Sequence, residues 1–146
     1  MFIQIILGIF VASFLEWFAH KYILHVLGRK KASLFSFHWG KHHAAARRNG
    51  FLDPMVSARE AFGIIFLCAL FTPVIMFAPF VYGTMFVHAV MYFVLHNAAH
   101  KYPEFAKKYM PWHYDHHMGK NQNTNWCVVH PLADYIMRTR TKYEYK

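Results

Sequence analysis

The sequence is poor in cysteine and in acidic residues, and both shortages narrow what the protein can be. Its 146 residues include two cysteines, Cys68 in an apolar run and Cys127 in a polar C-terminal stretch. Neither a disulfide framework nor a thiolate metal site is therefore indicated. The 16 Lys and Arg outnumber the 7 Asp and Glu. A basic balance fits nucleic acid, anionic lipid or the cytoplasmic loops of a membrane protein.

The sequence also contains long stretches without any charged side chain, and the first is residues 1–15. A helix over residues 2–23 is about 33 Å long, enough to cross a bilayer. A cleaved signal peptide is the competing interpretation, but no basic residue precedes the apolar run and the basic sequence GRKK follows it. We therefore predict a retained membrane anchor with its N-terminus outside.

The second stretch without charge, residues 61–100, is too long for a single span. Pro79 lies near its middle and indicates a tight turn. We predict a hairpin of two helices near 59–78 and 81–100, with Pro73 kinking the first of them.

The placement of the basic residues agrees with three spans. Eight lie in 21–59, eight in 101–146 and none in the 78–86 turn. The positive-inside rule then places residues 24–58 and the C-terminal segment together in the cytoplasm. The predicted fold class is an all-α integral membrane protein, a single domain over 1–146, with about three transmembrane helices and a cytoplasmic histidine-rich helical cap. A soluble bundle of very apolar helices is the alternative.

Histidine is the abundant metal-binding side chain, with twelve residues. The predicted topology places ten of them, in four clusters, on one side of the membrane. The clusters are H-x4-H (His20, His25), H-x3-H-H (His38, His42, His43), H-x3-H (His96, His100) and H-x2-H-H (His113, His116, His117).

The spacing within the clusters indicates which imidazoles can share a metal ion. At about 100° per residue of α-helix, His38 and His42 share a face, while His43 points about 140° from His38. Such a triplet can serve two neighbouring ions. His20 and His25 diverge similarly, unless the helix end unwinds between them.

Ten imidazoles divided between two ions give five ligands to each. An octahedral ion would then keep one open position. Imidazole suits Fe, Zn, Cu and Ni alike, so the ligand type does not select iron. Structural zinc sites usually have four ligands, often including cysteine, which ten histidines exceed.

The order of these four motifs resembles the fatty acid hydroxylase superfamily, which includes sterol desaturases, fatty acid 2-hydroxylases and carotenoid hydroxylases. The resemblance runs from EWFAHKYILH (16–25) to about Arg140, and HHMGKNQNTNWCVVHPLADYIMRT (116–139) looks like the family's closing segment. It implies a non-haem di-iron centre that uses O2 to oxidise a lipid. By matching position, the implied ligands are His20, His25, His38, His42, His43, His96, His100, His113, His116 and His117.

The resemblance also implies partners and leaves alternatives open. The expected substrate is a membrane lipid such as a fatty acyl chain, sterol or carotenoid. The expected metals are two irons, for which zinc is a possible substitute. An external electron donor is needed, since no flavin or haem-domain motif fits in 146 residues. Nothing resembles a nucleic-acid-binding module. The alternative function is a membrane metal- or haem-binding protein without lipid oxidation activity.

The sequence departs from the family pattern in two ways. Many members have four spans, whereas three are predicted here. The second cluster reads H-x3-H-H, where many hydroxylases have H-x2-H-H. The missing span is compatible with a partner helix or a homo-oligomer.

Glu16 is a candidate for orienting a metal ligand. It precedes His20 by one helical turn, so it could accept the second ring N–H of that histidine. The alternative is an interfacial carboxylate paired with Lys21 or Lys101.

Three further residues lie near the clusters without belonging to them. Asp115 could orient His113 or a neighbour, and His130 could be an extra ligand, an orienting residue or a surface-loop histidine. His88 lies about 12 Å deeper in the bilayer than His96 by helix rise. We therefore predict that His88 hydrogen-bonds within the helix bundle.

Overall fold

The computed structural model of the chain describes residues 1–53 and 58–145. Within these residues the regular structure is entirely helical, with no strand. Three helical segments are long and apolar enough to cross a membrane: Phe2–Leu27, Ala58–Met76 and Pro79–Lys101. The prediction of an all-α membrane protein with about three spans is confirmed. The cytoplasmic position of the cap stays a prediction.

Seven α-helices form the described part of the chain. They are α1 (Phe2–Phe18), α2 (Ala44–Arg48), α3 (Ala58–Phe71), α4 (Pro79–Lys101), α5 (Pro103–Tyr109), α6 (Pro111–Met118) and α7 (Leu132–Ile136).

The first span ends at Leu27, four residues beyond the predicted 2–23, and its last part is a π-helix. After α1 the chain continues as a π-helical segment over Ala19–Leu27. A second π-helical segment, His38–His43, leads directly into α2. In a π-helix the backbone bonds run between residues five apart, and such segments are frequent at functional sites. Both segments here carry histidine clusters.

The hairpin agrees with the predicted helices to within a few residues. Helix α3 ends at Phe71, and Pro73 lies in the 3₁₀ turn Thr72–Met76 that follows. Pro73 therefore changes the type of helix where we predicted a kink. Pro79 lies in the first turn of α4, where its missing N–H costs no helical hydrogen bond.

Helices α1 and α4 pack closely because small side chains lie between them. Gly8 and Ala12 are buried one turn apart on α1, whereas the buried Ser13 faces α7 and accepts a hydrogen bond from the backbone N–H of Ala133. A Cβ atom added at Gly8 would lie 2.7 Å from Thr84 Cβ. In a bilayer, where apolar burial does not drive helix association, such small residues let two backbones approach. This contact brings the ends of the first and third spans together.

The C-terminal part of the chain folds over these helix ends as the predicted cap of short helices and loops. Asp134 on α7 accepts hydrogen bonds from the backbone N–H groups of Trp126 and Cys127, both at 2.8 Å. The Trp17 indole donates to Thr139 Oγ1 at 2.9 Å and so joins α1 to the chain after α7. These bonds attach the loop before α7 to the end of the first span.

The close approach of α1 to α4 predicts the effect of a single methyl group. We expect Gly8→Ala to destabilise the protein by about 1–3 kcal/mol, because the new Cβ overlaps Thr84. The measurement is the thermal unfolding midpoint in detergent. Gly63→Ala is the matched control: a Cβ there meets nothing within 4 Å, and Ala is favoured over Gly in a helix by about 0.5–1 kcal/mol. Equal midpoints for the two variants would contradict the packing.

Candidate metal centre

Nine of the twelve histidines form two compact groups at the cap end of the spans. Within each group, one ring nitrogen from every residue lies within 4.8 Å of those of the others. The first group contains His20, His25, His38, His43 and His116, and the second contains His42, His96, His100 and His117. All are buried except His42, which is half-buried.

His113 completes the set of ten histidines that the sequence predicts to meet. Its Nε2 atom lies 3.1 Å from His100 Nε2, and its ring centre lies 4.8 Å from that of His117. It is therefore placed beside the second group, so the ten rings divide five and five.

The π-helical segments explain how the first group assembles. His20 and His25 are five residues apart, as are His38 and His43, so each pair lies about one π-helical turn apart. Their ring centres are 5.0 Å apart in both pairs. The prediction from α-helical geometry that His43 points away from His38 was wrong, because this segment is a π-helix.

The two groups adjoin because two histidine pairs are divided between them. His42 and His43 are neighbours in the chain and belong to different groups, and so do His116 and His117. The rings of His43 and His117 stack across the boundary with centres 4.1 Å apart. Two ions held by these groups would therefore be neighbours.

The ring nitrogens fit a metal better than they fit one another. In the first group the Nε2 atoms of His25 and His43 are 3.0 Å apart, and His116 Nε2 lies 3.1 Å from that of His25. In the second group, among the described residues, Nε2 of His42, His96 and His117 is buried without a hydrogen-bond partner. An unsatisfied buried polar group costs about 1–3 kcal/mol. A cation that accepts these lone pairs removes that cost.

Two carboxylates that sequence reasoning missed orient rings of the second group. His42 Nδ1 lies 2.7 Å from Asp53 Oδ2, and His96 Nδ1 lies 2.7 Å from Glu60 Oε1. A carboxylate on one ring nitrogen fixes the tautomer, so the other nitrogen is free to bind a metal. Glu60 had a signal in the sequence, since it is the last charged residue before the uncharged stretch 61–100.

A strained turn supplies a third contact to the second group. His100 Nδ1 donates to the carbonyl oxygen of Phe51 at 2.9 Å, and the two rings stack with centres 4.4 Å apart. Phe51 has a φ of 82°, a left-handed conformation that an aromatic residue rarely adopts. The residue is fully buried, so its surroundings hold the strained turn against His100.

The loop after α6 supplies the contacts to the first group. His116 Nδ1 donates to the carbonyl oxygen of Thr124 at 2.7 Å, and His20 Nδ1 donates to that of Trp126. The side-chain amide of Gln122 lies 2.9 Å from His43 Nδ1. The three contacts to the first group are therefore made by neutral groups. The second group instead receives the negatively charged carboxylates of Asp53 and Glu60.

Glu16 does not orient His20, and that prediction was wrong. Its Oε2 atom lies 2.7 Å from His88 Nε2, and its Oε1 atom accepts from the backbone N–H of Val128. Glu16 faces α4 from the α-helical part of the span, whereas the His20 ring reaches the Trp126 carbonyl. The prediction that His88 hydrogen-bonds within the bundle is confirmed.

The alternative pairing of Glu16 with Lys21 or Lys101 is not made either. Lys21 Nζ lies 4.4 Å from the centre of the Trp17 ring, and Lys101 Nζ lies 5.3 Å from that of Tyr102. His130 is half-buried with its ring centre 5.4 Å from that of His88. His130 is therefore outside both histidine groups.

Asp115 also does not orient His113. Its carboxylate accepts from Arg140 Nη1 at 2.7 Å and from the Tyr145 hydroxyl at 3.0 Å. On an α-helix Asp115 is about 200° from His113 and about 100° from His116, so it points away from the face that carries the histidines. Asp115 holds the C-terminal tail against α6 instead.

Burial keeps the candidate ligands in the form that binds metals. Removal from water disfavours the imidazolium ion, which lowers the pKa values of His38, His43 and His117 well below their usual range and that of His116 to about 3. The neighbouring histidines add to the effect. These four rings are therefore neutral at physiological pH, with their lone pairs available to a metal.

Comparison with known proteins identifies the family. The fatty acid hydroxylase family model matches residues 5–139. The chain belongs to this family. The match covers all four histidine clusters, and membership implies an oxidoreductase. No curated protein and no solved structure matches the chain significantly.

The carboxylates of the second group predict a selective loss of metal affinity. We expect Asp53→Asn to weaken metal binding by about 10–100-fold at one of two sites, because His42 loses its anionic partner. Metal titration followed by equilibrium dialysis measures both affinities. Glu104→Gln is the control, since Glu104 is exposed and pairs with Lys107. Equal weakening at both sites would contradict a specific role for Asp53.

The lowered pKa values predict metal retention in acid. Imidazoles with the ordinary pKa of about 6.5 would begin to exchange metal for protons below that pH. Because burial lowers the pKa of His116 to about 3, we expect the folded protein to keep its metal from about pH 7 to about pH 5. Metal content after dialysis at stepped pH is the measurement, with detergent-denatured protein as the control. Parallel loss from both samples would argue against a buried site.

Proposed function

We propose that this protein is a membrane-bound di-iron oxidoreductase that uses O2 to hydroxylate or desaturate a lipid. The observation that carries the proposal is the convergence of ten imidazoles into two adjoining buried groups. Membership of the fatty acid hydroxylase family supports the lipid substrate. The position of the groups at the ends of membrane-spanning helices supports it independently, since a bilayer lipid can reach them without entering water.

The protein's own residues have three tasks in this proposal. The imidazoles hold the two ions, while Asp53, Glu60 and backbone carbonyls keep the rings turned towards them. The buried surroundings exclude water, which protects reactive species from side reactions. Two bound iron ions would supply oxygen activation and one-electron redox chemistry, which zinc in the same positions cannot.

The proposal includes a cytoplasmic electron donor and cytoplasmic histidine groups. These 146 residues carry no flavin or haem-domain motif, so the electron donor that we propose lies outside this segment. Basic residues cluster beside the histidine segments, as in GRKK at 28–31. By the positive-inside rule this side faces the cytoplasm, where such a donor is available.

Metal or haem binding without lipid oxidation is less well supported by the geometry. A haem iron takes at most two axial ligands from the protein, whereas the imidazoles here gather in two groups of five when His113 is counted with the second. A transporter would place its ligands near the middle of the bilayer, whereas these groups lie at one end of the spans.

A pair of histidine variants tests the function. We expect His116→Ala to reduce bound iron from about two per chain and to abolish the lipid product, because the Nε2 atoms of His25 and His43 both lie within 3.2 Å of His116 Nε2. His130→Ala, outside both groups, is the matched control and should keep iron and activity. Metal analysis of purified protein and lipid and carotenoid profiles of cells with and without each variant are the measurements.

Two results would overturn the proposed function. The first is folded, active protein that contains no iron. The second is a lipid and carotenoid profile that does not change between cells with and without the wild-type protein under several growth conditions.

A further inference from the structure

Helices α3 and α4 leave an apolar groove between them on the membrane side of the second histidine group. Its volume is about 350 Å³, within the range of small-molecule binding sites. Ala61 and Cys68 line it from α3, and Ala89 and Phe93 line it from α4. From Ala61 to Cys68 the groove runs about 11 Å along the helix.

The groove has a defined end at the histidines. Ala61 follows Glu60, whose carboxylate contacts the His96 ring at 2.7 Å. Phe93 lies one turn before His96 on α4. The groove therefore ends beside the contact between Glu60 and His96, and His96 is a member of the second histidine group.

The opposite end of the groove is closed by polar contacts within the hairpin. The Tyr82 hydroxyl on α4 donates to the carbonyl oxygen of Cys68 at 3.1 Å, and Thr72 Oγ1 donates to the same oxygen at 3.1 Å. Contacts therefore join the two hairpin helices at both ends. Glu60 contacts His96 at the histidine end, and Tyr82 contacts Cys68 at the end near the hairpin turn.

Between these two contacts α3 stands away from the rest of the protein. No described residue of α3 is buried, whereas α1 buries four residues, including Gly8, and approaches α4 closely. The small side chains of Ala61 and Ala89 leave the space that larger residues would fill. A gap between hydrophobic helices in a bilayer is filled by hydrocarbon, since water there would lack hydrogen-bond partners.

We propose that this groove binds one extended hydrocarbon chain of the lipid substrate, parallel to α3 and α4, with the carbon to be oxidised at the second histidine group. This inference rests on the proposed function and adds the substrate's position and shape to it. A flexible acyl or isoprenoid chain can lie lengthwise along the groove between the two helices. We assign the groove to such a flexible chain and not to a rigid fused-ring molecule.

Photo-crosslinking tests the binding site without requiring turnover. The full-length protein in lipid nanodiscs receives a fatty acid that carries a diazirine near its methyl end, and the adducts are mapped by mass spectrometry. We expect adducts at Ile64 and Cys68, which face the groove, and few at Phe62 and Phe66, which are exposed on the same helix.

A matched pair of substitutions separates the groove from general lipid contact. Ala89→Phe fills the groove and should reduce adducts at Ile64 and Cys68 by at least about tenfold, through steric exclusion. Ala69→Phe makes the same change at an exposed position of α3 and should leave the adducts unchanged. Unchanged metal content of both variants verifies that they fold.

Three outcomes of the binding experiments would overturn the groove proposal. The first is labelling of Phe62 and Phe66 as strong as that of Ile64 and Cys68. The second is labelling of the groove by a photoreactive sterol as strong as that by the fatty acid. The third is a Cys68 disulfide cross-link between two copies of the chain, which would place a second copy in the groove. Because labelling needs no turnover of the substrate by the enzyme, the groove can be labelled even if no oxidised lipid is found. Conversely, lipid oxidation at equal rates by the Ala89→Phe and Ala69→Phe variants would reject the groove and leave the proposed function standing.

Discussion

Lone pairs of imidazole nitrogens repel one another when they converge on the same point, and in this protein they converge in two adjoining places. A proton can lie between one pair of rings, but burial strongly disfavours imidazolium in the cap. Divalent cations satisfy many lone pairs at once, which a proton cannot do. The need of these converging lone pairs for a cation makes sense of the rest of the described structure. Its elements carry the rings, orient them or bring together the helices that carry them.

Local helix type provides part of that arrangement. An α-helix directs residues five apart to different faces, whereas a π-helix brings them closer together. Two π-helical segments, Ala19–Leu27 and His38–His43, therefore direct two rings each into one group. The close contact of α1 with α4 at Gly8 then brings the ends of the first and third spans to the same place. Helix α6 adds rings to both groups from one face.

The two histidine groups differ in their surroundings. Asp53 and Glu60 place negative charge on ligands of the second group, while neutral carbonyl and amide groups contact ligands of the first. An anionic partner makes an imidazole more basic, so two otherwise similar ions would bind in unequal sites. Glu60 belongs to the hairpin that also forms the apolar groove. The charged support of one metal position and the proposed path of the lipid are thus parts of the same helix pair.

Charge distribution and residue spacing alone were sufficient to predict the three spans and the ten histidines that meet. The spans and the histidine clusters are both local features of the sequence. A span requires only a certain length of apolar residues, and a histidine cluster requires only residues close together in the chain. The partners of the rings depended on the tertiary structure. Glu16 and Asp115 were near the right histidines in sequence but face α4 and the C-terminal tail, whereas Asp53 and Glu60 reach rings distant in the chain. The grouping of His43 with His38 required a π-helix, and α-helical spacing assigned it to the wrong face. Side-chain direction depends on backbone geometry and on packing between distant segments, and neither is encoded in spacing along the chain.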